Sequence, residues 1–291
     1  MSQSQKKVIT QDKVVYFINY VLLAILLVVV LYPIIYIISC SFSSGDALMS
    51  GKVKLFPVEP TLQSYKAVFK YQSIWTGYRN SIIYAIVGTV ISMVLTLLAA
   101  YPLSKKGLVG GKIVMTLFVL TMYLHPGVIP EYLNVRDFKM IDTVWALIVP
   151  GALSAYNMII MCNAFKGIDA AIYDAAKIDG CSEARCLLSV VLPLVYPTMA
   201  TLGLFYAVGR WNGISDVLYY INSSKYFTVQ MVLKQFVESI NVSVEEGLQT
   251  NLVAENIKAA SIVISMLPML IVYPFVQKFF TKGIMVGAVK G

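Results

Sequence analysis

Residues 173–197 read YDAAKIDGCSEARCLLSVVLPLVYP and form a charged island between two long apolar runs. The island begins with an acid and two alanines at 174–176, contains Gly180, and ends in a Leu-Pro pair at 192–193. Glycine adopts backbone turns that other residues resist. The composition therefore predicts two short helices joined at Gly180, and in a membrane protein such a segment lies in water on one side of the bilayer.

The composition of the whole chain points to a bilayer as its solvent. Of the 291 residues, 58% are hydrophobic and 13% are charged, and the mean hydropathy is +0.74. A soluble domain carries about 25% charged residues. Burial in an ordinary core does not account for so few charges, so the sequence indicates a membrane protein.

Six uncharged windows are long enough to cross the membrane, since a spanning helix needs about 20 apolar residues. Within lipid only helices and closed barrels satisfy the backbone, and continuous apolar runs exclude the alternation of a barrel. The predicted fold class is an all-α membrane protein with six transmembrane helices. Their predicted bounds are about 14–39, 81–103, 113–129, 143–165, 192–208 and 259–277.

The distribution of basic residues predicts the orientation. With six spans, the side that holds both termini carries twelve basic and five acidic residues, a net charge of +7, against +1 on the other side. Cytoplasmic loops carry the excess of Lys and Arg. Both termini, the loop 166–191 and the tail 278–291 are therefore predicted to be cytoplasmic. This bias explains the overall basicity without a nucleic-acid partner.

The apolar windows contain no Asp, Glu, Lys or Arg, which argues against an ion-coupled carrier, where buried ionisable groups are expected. His125, the single histidine, stands at the outer end of the third window. It is either a proton relay or a histidine hydrogen-bonded at a kinked helix end. The four cysteines suggest no disulfide framework. No catalytic or metal-binding residues are predicted.

The spacing within the charged island resembles that of the membrane subunits of binding-protein-dependent ABC importers. These permeases carry a cytoplasmic loop of the pattern E-A-A-x3-G-x9-I-x-L-P. The departures here are Asp for Glu and Val for Ile. The positions that fill the pattern in register are Asp174, Ala175, Ala176, Gly180, Val190, Leu192 and Pro193.

The resemblance implies a type I ABC importer permease fold in a bacterial-type cell membrane, and a transport subunit rather than an enzyme. In that family the loop sits in a groove of a cytoplasmic ATPase. The implied partners are a second homologous permease, two ATPase subunits that bind ATP and Mg²⁺, and an extracellular sugar-binding protein, so this chain needs no cofactor. The ending TKGIMVGAVKG is similar to the tail of maltose-type permeases, which reaches toward the ATPases. The tail positions concerned are Gly283, Gly287, Lys290 and Gly291.

The residues of the island are suited to such a coupling loop. Small side chains at Ala175 and Ala176 allow close approach to a partner, and Asp174 near a helix start favours the helix dipole. Gly180 permits the turn. Pro193 is expected to fix the entry into the fifth span, so that movement of the loop is passed to a membrane helix.

The substrate class rests on segments 126–161 and 209–222, which resemble the LplC-like branch of carbohydrate permeases, associated with oligosaccharide uptake. Tyrosine, tryptophan and asparagine suit a sugar pathway, since rings stack on sugars and polar groups bond hydroxyls. Asn157 is equally suited to bonding across to a neighbouring helix, and Trp211 and Asn212 are equally suited to a structural role. The pathway candidates are Tyr123, Tyr132, Tyr156, Asn157, Trp211 and Asn212.

Three other functions remain open on the sequence. The first is an ABC permease for a non-sugar solute, since the loop pattern does not depend on the solute. The second is an ion-coupled secondary carrier, which uptake by this chain alone without ATP would support. The third is a membrane scaffold, which transport that persists after deletion of the chain would support.

Overall fold

The computed structural model describes residues 3–124, 126–245 and 254–288, and this part of the chain is helical without strands. It also contains a π-helical segment at Cys186–Val191 and a 3-10 turn at Ser224–Tyr226. The α-helices are α1 Gln3–Phe42, α2 Gly45–Met49, α3 Gln63–Lys70, α4 Ser73–Ser104, α5 Gly111–Thr121, α6 Val128–Asp137, α7 Trp145–Ile148, α8 Ala155–Lys166, α9 Ala170–Ile178, α10 Glu183–Arg185, α11 Leu192–Leu194, α12 Tyr196–Asn212, α13 Ile214–Tyr220, α14 Val229–Glu245 and α15 Ala254–Ala288.

The chain divides into two compact units, of which the first comprises Met1–Tyr71 and Leu233–Met266. In this unit the buried side chain of Asn256 donates hydrogen bonds from Nδ2 to the carbonyls of Cys40 (3.0 Å) and Ser43 (2.9 Å). The last carbonyls of a helix have no intrahelical partner. Asn256 therefore caps the end of α1 and fixes it to the start of α15.

The second unit comprises Gln72–Val232 and Leu267–Gly291, and in it α4 packs against α8 and α12. Thr96 of α4 lies 2.7 Å from the hydroxyl of Tyr206 in α12, and the same hydroxyl accepts the backbone N–H of Ser154 at 3.2 Å. A Cβ on Gly77 would lie 3.0 Å from the backbone of Val229, so only glycine allows this approach. The buried side chains between these helices include Met158, Met161, Phe165 and Leu202.

In the described residues, three helical stretches are long and apolar enough to cross a membrane: Val15–Phe42, Ser73–Ser104 and Ala254–Pro274. A fourth is obtained if Glu183–Leu194 and Tyr196–Asn212, which meet at 86°, count as one bent span. In the first stretch none of the apolar window is buried within the chain, which leaves that surface for lipid or other subunits. The predicted number of six spans is therefore not confirmed.

Two predicted spans are broken by glycine and proline. The predicted helix 113–129 ends at Thr121, and α6 starts after Pro126 and Gly127, whose φ is 87°. The predicted helix 143–165 is interrupted at Pro150 and Gly151 (φ 66°), between α7 and α8. Positive φ ends a right-handed helix, so an uncharged window here holds two short helices instead of one long one.

The fifth predicted span, 192–208, begins earlier and bends in the middle. Helical structure starts at Glu183, continues through the π segment, and breaks at Val195 before α12. Pro197 has no N–H to donate and clashes with the preceding turn, which accounts for the break. Pro193 thus lies before the bend, and the proline in the first turn of the long helix is Pro197.

The other helices extend beyond their predicted bounds. α1 runs over Gln3–Phe42 where 14–39 was predicted, α4 starts at Ser73 where 81 was predicted, and α15 covers Ala254–Ala288 where 259–277 was predicted. An uncharged window measures the apolar part of a helix. The helical backbone itself continues into polar residues, where hydropathy gives no signal.

Candidate functional site

The charged island folds into two short helical arms, as the sequence predicts. The first arm, α9, is capped by the carboxylate of Asp169, which accepts the N–H of Ala171 at 3.0 Å. The cap and the favourable interaction with the helix dipole therefore belong to Asp169. Asp174 was expected near a helix start, but it is the fifth residue of α9 and is exposed.

Gly180 forms the joint between the arms. Its φ is 73°, its N–H donates to the carbonyl of Lys177 (3.0 Å), and the N–H of Cys181 donates to the carbonyl of Ala176 (3.0 Å). This pair of bonds around a left-handed residue is a Schellman motif, in which glycine is the preferred residue. The second arm starts directly afterwards, where the hydroxyl of Ser182 accepts the N–H of Arg185.

The two alanines of the motif occupy different environments. Ala176 is 6% exposed and packs with Cys186 and Val191 of the second arm. Ala175 is exposed, and it lines a shallow depression of about 450 Å³ together with Ile172 and Val190. Ala176 therefore holds the arms together, and of the two alanines only Ala175 faces outward.

The remaining motif residues lie in the second arm. Val190 closes the π segment with Val191 and is half-buried. Leu192 is half-buried in α11, and Pro193 is exposed beside it. π segments inside helices are frequent at functional positions. The motif thus ends two residues before Val195, where the chain bends by 86° into α12.

A cluster that the sequence did not predict joins this loop to the end of α4. The hydroxyl of Tyr101 donates to Glu183 Oε2 (2.8 Å), and Lys105 Nζ lies 3.5 Å from the same carboxylate oxygen. Lys105 Nζ also lies 3.9 Å from the ring centre of Tyr173 in α9 and 4.5 Å from that of Tyr101. We call Tyr101, Lys105, Tyr173 and Glu183 the anchor cluster.

Tyr173 is bound on two sides. Its hydroxyl donates to the carbonyl of Phe165 in α8 at 3.2 Å, while its ring faces Lys105. Burial raises the pKa of Tyr173, and the negative charge of Glu183 acts in the same direction. The hydroxyl therefore stays protonated and remains a donor. Only the three-dimensional fold shows the cluster, because its members are up to 82 residues apart.

A second feature that the sequence did not predict is Arg210, which lies two residues beyond the predicted span 192–208. It lies inside α12, half-buried. Its guanidinium donates to the carbonyls of Leu147 (2.5 Å) and Ile148 (2.9 Å), at the break after α7. It also packs on Gly88 of α4, where a Cβ would lie 3.2 Å from Nε. A charge inside an apolar helix is thus used to satisfy the free carbonyls of a broken one.

The pathway candidates are spread over several environments. Tyr123 and Tyr156 are 79% and 56% exposed, whereas Asn157 and Trp211 are buried. Tyr132 stacks on Tyr220, with 6.4 Å between ring centres. The carbonyl of Trp211 accepts the side-chain amide of Gln230 at 2.9 Å. Asn212 is exposed at the end of α12.

Of the predicted tail residues, two lie within the described part of the chain. Gly283 and Gly287 lie on the helical backbone of α15. Lys290, Gly291 and His125 lie outside the described residues.

The carboxylate of Asp142 accepts three hydrogen bonds from the segment after α13. Oδ1 accepts the backbone N–H groups of Ser223 (2.7 Å) and Asn222 (3.0 Å), and Oδ2 accepts the hydroxyl of Ser223. The hydroxyl and N–H of Ser223 lower the pKa of the Asp142 carboxyl, and the charge of Lys225 adds to this.

We expect Asp142→Asn to raise the hydrogen-exchange rates of the amides of Asn222 and Ser223 about fivefold at neutral pH, since bonds to a charged acceptor are the stronger ones. Asparagine tolerates the positive φ of this position (58°). A carboxyl with a lowered pKa stabilises the fold above its ordinary value of 3.8 and loses this effect as the pH falls through the lowered value. In the unsubstituted protein, the protection of these two amides against exchange should thus be lost only when the pH falls through the lowered pKa of Asp142. Equal exchange in both proteins would show that the carboxylate does not hold this segment.

The comparisons with known proteins agree with this geometry. Residues 5–286 match the family model described as binding-protein-dependent transport system inner membrane component. The chain is 37% identical over 268 residues to the polygalacturonan/rhamnogalacturonan transport system permease protein YtcP of Bacillus subtilis (strain 168), covering 89% of this chain and 92% of that protein. It is 40% identical over 266 residues to Protein LplC of the same organism, covering 90% of each.

One solved structure is similar over nearly the whole length. It is the crystal structure of a bacterial ABC transporter involved in the import of the acidic polysaccharide alginate, with a TM-score of 0.83 and 34% identity over 96% of this chain and 99% of that one. The predictions of an all-α type I ABC importer permease fold, of a membrane location, and of a permease rather than an enzyme are thereby confirmed. The chain belongs to the family of binding-protein-dependent transport system inner membrane components.

Proposed function

We propose that this chain is a permease subunit of an ATP-driven importer for a carbohydrate, specifically an oligosaccharide. The observation that carries the substrate class is the likeness over 89% of the chain to a permease named for polygalacturonan and rhamnogalacturonan transport. The alginate importer, at 34% identity, supports the same class. Both names describe polymers of acidic sugars, so oligosaccharides that contain uronic acids are the first substrates to test.

We further propose that residues 166–191 form the cytoplasmic loop that couples this chain to an ATPase. The support is physical. α9 presents an exposed face with Ala175, Ile172 and Ile178, the last of which is 86% exposed. Exposed apolar side chains next to a small residue suit insertion into a groove of a partner. The Schellman turn at Gly180 fixes the direction of this face relative to the second arm.

Movement of the loop can reach the membrane helices through two connections, one along the covalent chain and one through noncovalent contacts. The second arm continues through the bend at Val195 into α12, and the anchor cluster joins the loop to the end of α4. Both helices pack against each other within one compact unit. Closure of an ATPase pair would therefore move α4 and α12 together, which is what alternating access to a central pathway requires.

The partners and the topology belong to the same proposal. A second homologous permease would complete the pathway, two ATPases would supply ATP and Mg²⁺ binding, and an extracellular binding protein would deliver the sugar. Six spans with both termini in the cytoplasm agree with the charge difference of +7 against +1. Gly283, Gly287, Lys290 and Gly291 are proposed to contact the ATPases.

Transport in proteoliposomes tests the function. With the partner permease, the ATPases and the binding protein present, we expect uptake of labelled oligogalacturonide to require enclosed ATP and to continue when the proton gradient is collapsed. Uptake by this chain alone without ATP would indicate a secondary carrier. A binding protein that selects an amino acid, phosphate or a metal complex would indicate a non-sugar importer. Cellular uptake that survives deletion of the chain would indicate a scaffold.

A further inference from the structure

A wide cleft beside the anchor cluster is lined by lysines from four parts of the second unit. Its volume is about 1480 Å³. The walls are formed by the turn after α4, the start of α5, the end of α8 and one side of α9. The lysines are Lys105, Lys106, Lys112, Lys166 and Lys177, and the carboxylates are Asp174 and Glu183.

The positive charge of this cleft is largely unneutralised. Lys105 pairs with Glu183 in the anchor cluster. In the described part of the chain, no carboxylate lies within 4.0 Å of Lys106, Lys112 or Lys166, and each of the three is exposed. Like charges gathered in one cleft raise the local concentration of an anion. The charges therefore point to an anionic ligand.

The cleft is also apolar, which distinguishes the ligand from a simple anion. Leu108, Ile113 and Met115 line it along with the lysines. Beyond the cleft, α5 continues from Leu117 to Thr121 for about one and a half turns. No residue of α5 is buried, and Ile113 and Leu117 are 68% and 57% exposed. A soluble phosphate would make no favourable contact with this apolar surface. A lipid would, because its acyl chains pack on an apolar helix face directly beside the site of its charged headgroup.

We propose that this cleft binds the phosphate headgroup of an anionic membrane lipid, with the acyl chains along α5. Lys112 lies in the first turn of α5, so its ammonium group can reach the headgroup while the helix below it contacts the chains. Lys106 and Lys166 face the same headgroup from the turn after α4 and from the end of α8. Basic clefts between helices at the membrane surface have this kind of ligand. The proposal does not depend on the transported solute.

The proposal is tested by measuring which lipid the protein retains. The sample is the purified full-length protein together with the partner subunits that copurify with it. The protein is reconstituted with equal amounts of phosphatidylglycerol and phosphatidylcholine, purified again in detergent, and the bound lipids are counted by native mass spectrometry. We expect preferential retention of phosphatidylglycerol, and at least about a tenfold weaker preference when Lys106, Lys112 and Lys166 are all replaced by Gln.

Two matched variants accompany this measurement. Replacement of Lys52, Lys54 and Lys66 by Gln removes three exposed lysines from the first unit and should leave retention unchanged. Replacement of the three cleft lysines by Arg keeps the charge and should retain the lipid, which provides a readout even if the Gln variant does not fold.

Three results would overturn the proposal. Unchanged retention in the Gln variant would place the lipid elsewhere. Displacement of the bound lipid by inorganic phosphate would identify a site for free anions that has no lipid selectivity. Retained lipid combined with loss of copurifying ATPase would assign the lysines to an acidic protein surface. None of these readouts measures uptake, so they are distinguishable from a failure of the proposed transport function.

Discussion

Gly180→Pro is expected to reduce ATP-dependent uptake at least about tenfold while leaving membrane insertion intact. Proline requires φ near −65°, whereas Gly180 has φ 73°. Proline also removes the N–H that donates to the carbonyl of Lys177, so both elements of the Schellman turn are lost. The outward face of α9 would then have no fixed direction relative to the second arm. Uptake and copurification of the ATPase should therefore fall together.

Gly51→Pro provides a matched control in the first unit. Gly51 has φ 66°, its N–H donates to the carbonyl of Leu48 at 3.0 Å, and a Cβ there would meet nothing within 4 Å. The two substitutions thus cause the same local damage, one in the proposed coupling loop and one outside it. Similar losses of uptake in both would indicate general misfolding. Normal uptake in Gly180→Pro would exclude the loop as the coupling element.

Gly180→Ala should have a smaller effect of the same kind. Alanine keeps the N–H, and its Cβ would meet nothing within 4 Å. The cost is then confined to the left-handed backbone, about 1 kcal/mol. A partial loss of coupling is expected to lie between the original protein and the proline variant.

The sequence predicted those features that depend on local chemistry. Gly180 was identified as the joint because a turn between two short helices calls for glycine, and the structure has it there. The helical arms on either side follow from the same residues. The fold class followed from uncharged length, since only helices satisfy continuous apolar segments in lipid.

Features that depend on tertiary contacts escaped the prediction. Pro193 and Pro197 are equally capable of ending a helix, and the sequence did not reveal that the bend lies at Val195. Asp174 was assigned the dipole interaction that belongs to Asp169, because the start of α9 could not be located within a few residues. The role of Arg210, beyond the predicted end of the fifth span at 208, was not foreseen, because hydropathy does not show which carbonyls a distant helix leaves free.

Tyr173→Ala is expected to lower the amount of sugar transported per ATP hydrolysed about fivefold, with copurification of the ATPase preserved. The substitution removes the ring over Lys105 and the hydrogen bond to the carbonyl of Phe165. It leaves the exposed face around Ala175 unchanged. A cation–π contact of a partly exposed lysine contributes about 1 kcal/mol, and a neutral hydrogen bond contributes about 1 kcal/mol. Loss of both would free α9 from Lys105 and from α8 without undocking the loop, while Glu183 would still join the second arm to the end of α4.

Tyr173→Ala alters the anchor cluster but leaves the proposed docking face intact, so it tests force transmission separately from docking. Gly180→Pro affects both. Tyr173→Phe keeps the ring over Lys105 and loses only the bond to Phe165, so an intermediate value is expected. Tyr20→Ala, which removes a tyrosine of α1 that is 71% exposed, controls for the loss of an aromatic residue. If Tyr173→Ala also released the ATPase, the anchor cluster would be part of the docking surface. If transport per ATP stayed the same, the bend at Val195 and the contacts of Glu183 with the end of α4 would be sufficient to carry the movement into the membrane.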